Sequence, residues 1–493
     1  MCWSGDATQL AAACADGHVV SAHCIKKRLE WNEFEVLLVS RKTAHVRNIV
    51  DDTQDVLEMR DRVIKMALGY GHLVVVTSTQ CLIYASNNFN TPAIFELRSP
   101  GSVSFVQQCR TCFALVDAAS VLLYTYEGRQ VSLLRLPGQL RTYMLNGHTL
   151  ALSHDVVAVK DGKDERQVHL FDTSTGRLMA DGAGSSVQHQ NQVTQVSLSQ
   201  CGDLSDRYVA VIDKNHDVYV AAVTAPAATL KKLAAMVQAV QWNRDCNMLC
   251  GLRDTKLLVW FYPKCLFVDA NILPLTVTEQ EASDSGGKNL TLLSYIGSCV
   301  ALRRADGSRL SVSVSPYPIA LHELMNGAKW PEAVRLCRFA KNPSLWACLA
   351  AMAVHWKNLD TAEVAYAAIR EVDKVEYLAH IRDMPNKDVR AAKMALFCGN
   401  FGEAEAILQR AGFIYHIIQL NMDLFEWERA LEVAIKHKTH IDTVLGFRQL
   451  YLREVGKQES SNKFQQYSQG VKIHWDKIRA KVDAELEAVG DLN

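Results

Sequence analysis

Lys329-Trp330-Pro331-Glu332-Ala333-Val334-Arg335-Leu336-Cys337 is the stretch at which the chain changes period. Before it, apolar residues alternate in short runs split by polar turns; after it, they recur every three to four residues. These are the periods of strands and of helices, so the seam divides an all-β part from an all-α part. The same stretch opens a repeat. Trp330/Ala333/Leu336 is followed by Leu359/Ala362/Ala365, Phe401/Ala404/Ile407 and Trp427/Ala430/Val433. A large, a small and another apolar residue three apart place one notched stripe on a helix, which suits close packing of the next helix.

Working back from the seam, seven apolar–turn–apolar units can be counted. They centre on Ala15-Asp16-Gly17-His18, Thr77-Ser78-Thr79-Gln80, Val116-Asp117-Ala118-Ala119, Lys160-Asp161-Gly162-Lys163, Asp213-Lys214-Asn215-His216, Leu252-Arg253-Asp254-Thr255 and Arg304-Ala305-Asp306-Gly307. Asp-Gly and Asn turns tolerate the positive φ of tight hairpins. A spacing of roughly 40 to 60 residues is that of β-propeller blades. The expectation is a propeller of about seven blades over residues 1–318; a β-sandwich with extra hairpins is the alternative. Trp3-Ser4-Gly5-Asp6 with Leu10 parallels Trp242-Asn243-Arg244-Asp245 with Leu249, but only Met1 and Cys2 precede the first copy. The first blade is therefore expected to be incomplete, with an open edge. Glu279 to Asn289 is the most polar loop and is expected to interrupt the last blade.

Working forward, Pro331 suits a first helical turn. Asn358 and Asp360-Thr361 can cap a helix, Asn400 and Gly402 mark a turn, Gly412 an end, and Pro385 a connection. Residues 319–493 are expected to be an α-solenoid of helical hairpins resembling tetratricopeptide repeats. The repeated alanines lie 29, 42 and 26 residues apart, so the array is irregular. Lys472 to Val489 carries Trp475, Ile478, Val482 and Leu486 on one stripe, a terminal amphipathic helix either docked as a cap or offered to a partner.

The 493 residues allow two or three domains. Lys+Arg and Asp+Glu are both 53, which argues against a nucleic-acid binder or a surface that holds anionic lipid by charge. Fourteen scattered cysteines read as small buried hydrophobes in a reducing compartment. No leader is visible and no apolar run approaches the ~20 residues of a membrane span, so a cytosolic chain is expected.

The search for chemistry is unrewarding. Cys109 and Cys112 form a lone Cys-x-x-Cys, read as a structural pair over a metal or redox site; Cys246 and Cys250 lack nearby histidines. His437 and His440 flank a helix end, where cations complement the dipole. Asp161-Gly162-Lys163-Asp164 lacks the later calcium ligands, and Gly182-Ala183-Gly184 lacks the Lys-Ser/Thr of a phosphate loop. No catalytic, cofactor-binding or metal-binding residue is named. Of the tryptophans in the helical part (Trp330, Trp346, Trp356, Trp427, Trp475), core packing is the default. Trp330, Trp346, Trp427 and Trp475 are singled out as candidate interface anchors; Tyr366, Tyr377 and Tyr415 invite the same two readings.

Long runs then suggest a family. Lys329 through Phe339, Leu345-Trp346-Ala347-Cys348-Leu349-Ala350-Ala351-Met352-Ala353-Val354, Thr361 through Ile369 and Trp427-Glu428-Arg429-Ala430-Leu431-Glu432 resemble the roughly eighty-kilodalton subunit family of intraflagellar transport complex B. Cys250 through Thr255 and Arg304 through Ser308 resemble it in the β part. The resemblance implies two successive Trp-Asp-repeat propellers and a helical-repeat region, of which this chain is similar to the second propeller and the helices. It implies a non-enzymatic adaptor in ciliary transport, needed for cilium or flagellum assembly, at the cilium, basal body and cytoplasm. The implied partners are other subunits of that complex and a second copy of the chain, with no cofactor, nucleic acid or membrane insertion. Propeller-then-solenoid order also suits a vesicle-coat or tethering subunit; a propeller enzyme is the third alternative.

Overall fold

The computed structural model describes every residue except 4–8, 24, 118–119, 136–143, 180–185, 225–229, 283–289, 469–472 and 490–493. The expectations placed on Ser4-Gly5-Asp6, Ala118-Ala119, Gly182-Ala183-Gly184, Lys472 and the Ser/Gly part of the polar loop lie outside the described residues. Two compact units emerge: Met1–Pro263 with Thr278–Ile319, and Lys264–Val277 with Ala320–Asn493. Lys264–Val277 thus groups with the helices although the sequence range around it is β. No helix among the described residues is long and apolar enough to cross a membrane.

The β unit is a run of antiparallel meanders. A leading three-stranded sheet (2–23) is followed by blade 1 (28–58), blade 2 (63–96), blade 3 (105–133), blade 4 (150–188), blade 5 (193–234), blade 6 (239–281) and blade 7 (291–313). Among the described residues, blades 1 to 6 have four strands and blade 7 has three. The first strands of successive blades lie side by side from blade 1 to blade 7, and Arg309 of blade 7 pairs with Glu30 of blade 1. This is a β-propeller. All seven hairpins read from the sequence are present as the second and third strands of a sheet, and an eighth, Leu38 to Ala44 in blade 1, escaped the count. The incomplete first sheet is therefore the leading one, and seven blades follow it. Trp3 pairs with Leu10 as Trp242 pairs with Leu249, yet Trp3 is 56% exposed and Trp242 1%. Glu279 to Glu281, expected in the polar loop, belong to strand Val277–Glu281, where Lys256 pairs with Glu279 at 2.9 Å.

The core sits between blades. In strand His72–Thr77, Leu73 and Val75 pack with blade 1 residues such as Val36 and Val46, whereas Val74 and Val76 pack with Phe113 and Leu115 of blade 3. In blade 3, Ala114 and Val116 face Val157 and Val159 of blade 4. The second strands of blades 2 to 6 are buried on both faces, so their apolar runs are continuous, whereas those of blades 1 and 7 alternate.

Aspartates close the hairpins. Asp161 Oδ1 accepts from the Lys163 N–H (2.7 Å), Asp213 Oδ1 from Asn215 (2.8 Å) and Asp217 (2.9 Å), and Asp306 Oδ1 from Ser308 (2.8 Å). Burial pushes the Asp161 and Asp213 carboxyls up, but these N–H groups, with His169 at the first and Asn191 and His189 at the second, hold both below the usual range. Between the blades, the Arg207 guanidinium of blade 5 has no exposed surface and meets Asp155 of blade 4 at 2.9 and 3.1 Å.

The helical unit contains α1 (Cys265–Val268), α2 (Tyr317–Asn326), α3 (Trp330–Ala340), α4 (Pro343–His355), α5 (Leu359–Ala368), α6 (Val372–Asp383), α7 (Lys387–Phe397), α8 (Phe401–Ala411), α9 (Ile414–Asp423), α10 (Trp427–His437), α11 (Ile441–Val455), α12 (Asn462–Ser468) and α13 (Trp475–Val489). The large residue of each sequence triplet is the first residue of its helix, in α3, α5, α8 and α10. The alanine three on is completely buried in each. Asn342, Asn358 and Asn386 side chains accept N–H groups of the first turn. Asn400 does not, and Gly402 lies inside α8 rather than in the turn.

Two outcomes follow from the β unit. Arg207→Ala leaves Asp155 without its cation and should lower the stability of this unit by about 3–5 kcal/mol, read as a shift in the urea midpoint of Trp242/Trp260 fluorescence. Asp161 and Asp213 are depressed, so the folded chain binds fewer protons than the unfolded one. Their contribution is present above the ordinary carboxylate value of about 3.9 and is lost as pH falls through the lower folded values. Urea midpoints should therefore drop below about pH 4, and less steeply in Asp213→Asn than in the parent.

Candidate interaction surfaces

The first candidate is the set of turns that follow the innermost strands. Tyr70, in the left-handed region at φ +52°, ends the first strand of blade 2. Its hydroxyl donates to Gln200 Oε1 of blade 5 at 3.2 Å, and the Arg244 guanidinium of blade 6 lies 5.1 Å from its ring centroid. Burial pushes the Tyr70 phenol up to about 12, with Arg244 opposing in part, so the hydroxyl remains a donor at neutral pH. Amides around it reach across blades: Gln108 to His72 O (3.1 Å), Gln200 to Leu152 O (3.0 Å), Asn243 to Gly297 O (2.8 Å). These three amides hold backbone in place from one blade to the next.

The second candidate is the helical surface. Trp330, at the start of α3, and Trp346, in α4, are half-buried. Trp427 is half-buried in an aromatic group: Phe425 and Tyr451 lie 6.4 and 5.5 Å from its ring, and Arg448 sits 5.4 Å over it. Arg448 is in turn fixed by Glu459 at 2.9 Å. Trp475 is committed within the chain. It meets Phe447 edge-on at 5.8 Å, and a Cβ on Gly446 would lie 3.2 Å from its ring. With Ile478 buried and Lys481 on Asp442 at 2.6 Å, α13 is docked against α11, the first of the two expectations for it. Tyr366 and Tyr415 are core, and Tyr377 stacks on Phe397. His437 ends α10, whereas His440 starts α11, buried beside Tyr415.

Exposed apolar residues that the sequence reading did not single out sit near the helix ends: Phe339 (75%), Val372 (69%) and Phe425 (61%), joined by Trp356 (55%). Spacing alone does not find them, because they break the buried stripe rather than extend it.

Two family models match the chain: the IFT80 second beta-propeller over residues 26–317 and the IFT80/172/WDR35/WDR19 TPR domain over 345–489. The chain is 48% identical over 486 residues to the intraflagellar transport protein 80 homolog of Rattus norvegicus and 47% identical to that of Mus musculus. In both cases the match covers 98% of this chain and 62% of the relative, so the chain spans about three-fifths of the length of these relatives. The intraflagellar transport protein 172 homolog of Mus musculus matches at 20% over 473 residues, 88% of this chain and 25% of that one.

Gly446 generates a direct test of the α13 contact. Gly446→Leu should keep α11, since leucine favours helix by about 0.8 kcal/mol over glycine, while its side chain displaces Trp475 and Ile478. Hydrogen exchange across 475–489 should accelerate, with the blades unchanged.

Proposed function

The chain belongs to the intraflagellar transport protein 80 family, and on that premise we propose that it is a non-enzymatic scaffold subunit of intraflagellar transport complex B, needed to assemble cilia or flagella. The observation that carries this reading is the match to two family models in one chain, propeller before helices, with close to half the residues identical to the mammalian relatives. Physical chemistry supports it. The amides Gln108, Gln200 and Asn243 at the turns after the first strands are engaged between blades, and the helical unit shows exposed and half-buried aromatic side chains. Such anchors bind protein surfaces through a few desolvated contacts.

The proposal assigns the propeller to residues 1–318 and the helical repeats to 319–493. Trp330, Trp346, Trp427 and Trp475 serve as interface anchors, Trp475 through its hold on α13. The partners are other subunits of the complex or a second copy of the chain, and the sites of action are the cilium or flagellum, the basal body and the cytoplasm.

Affinity capture of the full chain from ciliated cells tests this. Transport-complex subunits should be recovered, and Trp427→Ala should weaken capture about tenfold or more. Recovery of no such subunit, with staining at Golgi or endosomes instead of the ciliary base, would favour a vesicle-coat or tethering role and overturn the proposal.

A further inference from the structure

The first two strands of blade 3 are joined by a two-residue tip, Arg110-Thr111, and the residues on either side of it are Cys109 and Cys112. The Cys109 N–H donates to the Cys112 carbonyl at 2.9 Å, which closes the tip as a tight turn. Both side chains point to the same side, and their sulfurs are 3.3 Å apart. Both cysteines are free thiols, buried beneath Arg110 and Thr111, which are exposed. Most other cysteines of the described core behave differently: burial alone pushes Cys81 up, and burial is the leading influence on Cys250 and Cys265. At the turn, the hydrogen bond from Cys112, working against burial, brings Cys109 down to about 7; Cys112 is pushed up by the same bond and by burial. Two sulfurs 3.3 Å apart under a two-residue tip are placed for thiol–disulfide exchange, with the lowered Cys109 as the one that ionises first.

We propose that Cys109 and Cys112 form a redox-active dithiol that closes to an intramolecular disulfide by exchange with a small-molecule disulfide and reopens with a dithiol reductant. The Cys109 thiolate attacks one sulfur of R–S–S–R, breaks that bond and releases R–S⁻, leaving a mixed Cys109–S–S–R disulfide. Cys112 then loses its proton to the released thiolate and attacks Cys109 Sγ. The second R–S⁻ departs and takes a proton from solvent. Two protein thiols are oxidised and one small disulfide is reduced to two thiols. The attacking sulfur lies under a two-residue tip, so local opening of that tip gives access without unfolding the blade. The exposed Arg110 cation beside it favours an anionic disulfide such as that of glutathione.

The closed form would be felt beyond the turn. Tyr126 donates its hydroxyl to Cys109 O at 2.6 Å, and its ring stacks on His72 of blade 2 at 3.9 Å. Through Tyr126 the cysteine turn is therefore linked to the turn after the first strand of blade 2, where His72 Nδ1 meets Tyr70 O at 2.9 Å.

The chemistry can be read on the full folded chain. The protein is equilibrated with glutathione and its disulfide at a series of ratios, quenched in acid, alkylated and digested with trypsin. Cleavage after Arg98, Arg110 and Arg129 places Cys109 and Cys112 on different peptides. A disulfide therefore appears as 99–110 linked to 111–129. The linked pair should accumulate as the mixture becomes more oxidising and vanish with dithiothreitol. Cys112→Ser should trap glutathione on Cys109, while Cys109→Ser should not trap it on Cys112. Recovery of 99–110 and 111–129 separately and fully alkylated from the oxidised folded chain would overturn the proposal, provided a sample oxidised in denaturant yields the link. Equal trapping by both variants would overturn the assignment of Cys109 as the attacking sulfur.

Discussion

A guanidinium with no exposed surface is the point on which the middle of the propeller turns. Arg207 enters strand Tyr208–Asp213 of blade 5 and spends its donors on Asp155 of blade 4 and on the carbonyls of Ser199 (2.6 Å), Cys201 (3.2 Å) and Gly202 (2.8 Å). Burying that charge costs several kcal/mol in principle, and it is tolerated because nearly every N–H has an acceptor. The same contact fixes two things at once. It sets the spacing of two blades, and it orders the turn Ser199–Gly202, whose Gln200 and Cys201 reach the Leu152 and Arg244 carbonyls in blades 4 and 6.

Apolar burial follows the same logic of shared ownership. Because consecutive residues of a strand point to opposite faces, Leu73 and Val75 belong to one inter-blade core and Val74 and Val76 to the next. A slip of one residue would exchange the two sets, so the register is fixed from both sides. Gly251 in blade 6 shows how tight the fit is: a Cβ there would stand 2.9 Å from Trp260 and 3.0 Å from Val237. The buried indole of Trp260 lies over backbone that only glycine leaves free.

What could be read in advance depended on which atoms close each turn. Hairpins sealed by Asp161, Asp213 and Asp306 carry a visible signature, since the same carboxylate accepts the turn N–H groups and permits the geometry. Hydroxyls also close hairpins, without that signature: Thr77 Oγ1 accepts from Gln80 N at 3.0 Å in blade 2, which its flanking apolar runs still marked, and in blade 1 Ser40 Oγ accepts from Lys42 N at 3.2 Å and donates to Thr43 at 2.9 Å, between strands whose Glu35, His45 and Arg47 break the apolar run. Helix ends behaved likewise. Gly412 advertises its turn, whereas the turn placed at Asn400 and Gly402 is made by Gly399, and Lys357 and Arg370 adopt the same left-handed conformation without glycine. In those two cases and at Gly399, the following N–H bonds back into the helix, from Asn358, Glu371 and Asn400 at 2.8–3.1 Å. The alanine stripe was legible because its spacing is its function. The cross-blade bonds of Gln108, Gln200 and Arg207 were not, because nothing local in the sequence marks a partner 36 to 52 positions away. The aromatic anchors were legible only as residue types; which of them packs within the chain, as Trp475 does, depends on Gly446, twenty-nine positions before it.

Phe425 brings these threads to one position. It follows α9 in the left-handed region at φ +61°, where a non-glycine residue costs about 1–3 kcal/mol. The turn around it is the same as at Gly399, with the following Glu426 N bonding back to Asn421 O at 2.9 Å. Glycine would satisfy the backbone at no strain, so the benzyl group must be held for what it touches. It meets Tyr451 at 5.3 Å and Trp427 at 6.4 Å, and Arg448 lies 5.7 and 5.4 Å from those ring centroids. Packing against two rings contributes about 0.5–1.5 kcal/mol per pair, which is enough to offset the strain. The result is a rigid aromatic group with one face still open, and rigidity in an exposed aromatic is what lowers the entropy lost when a partner covers it.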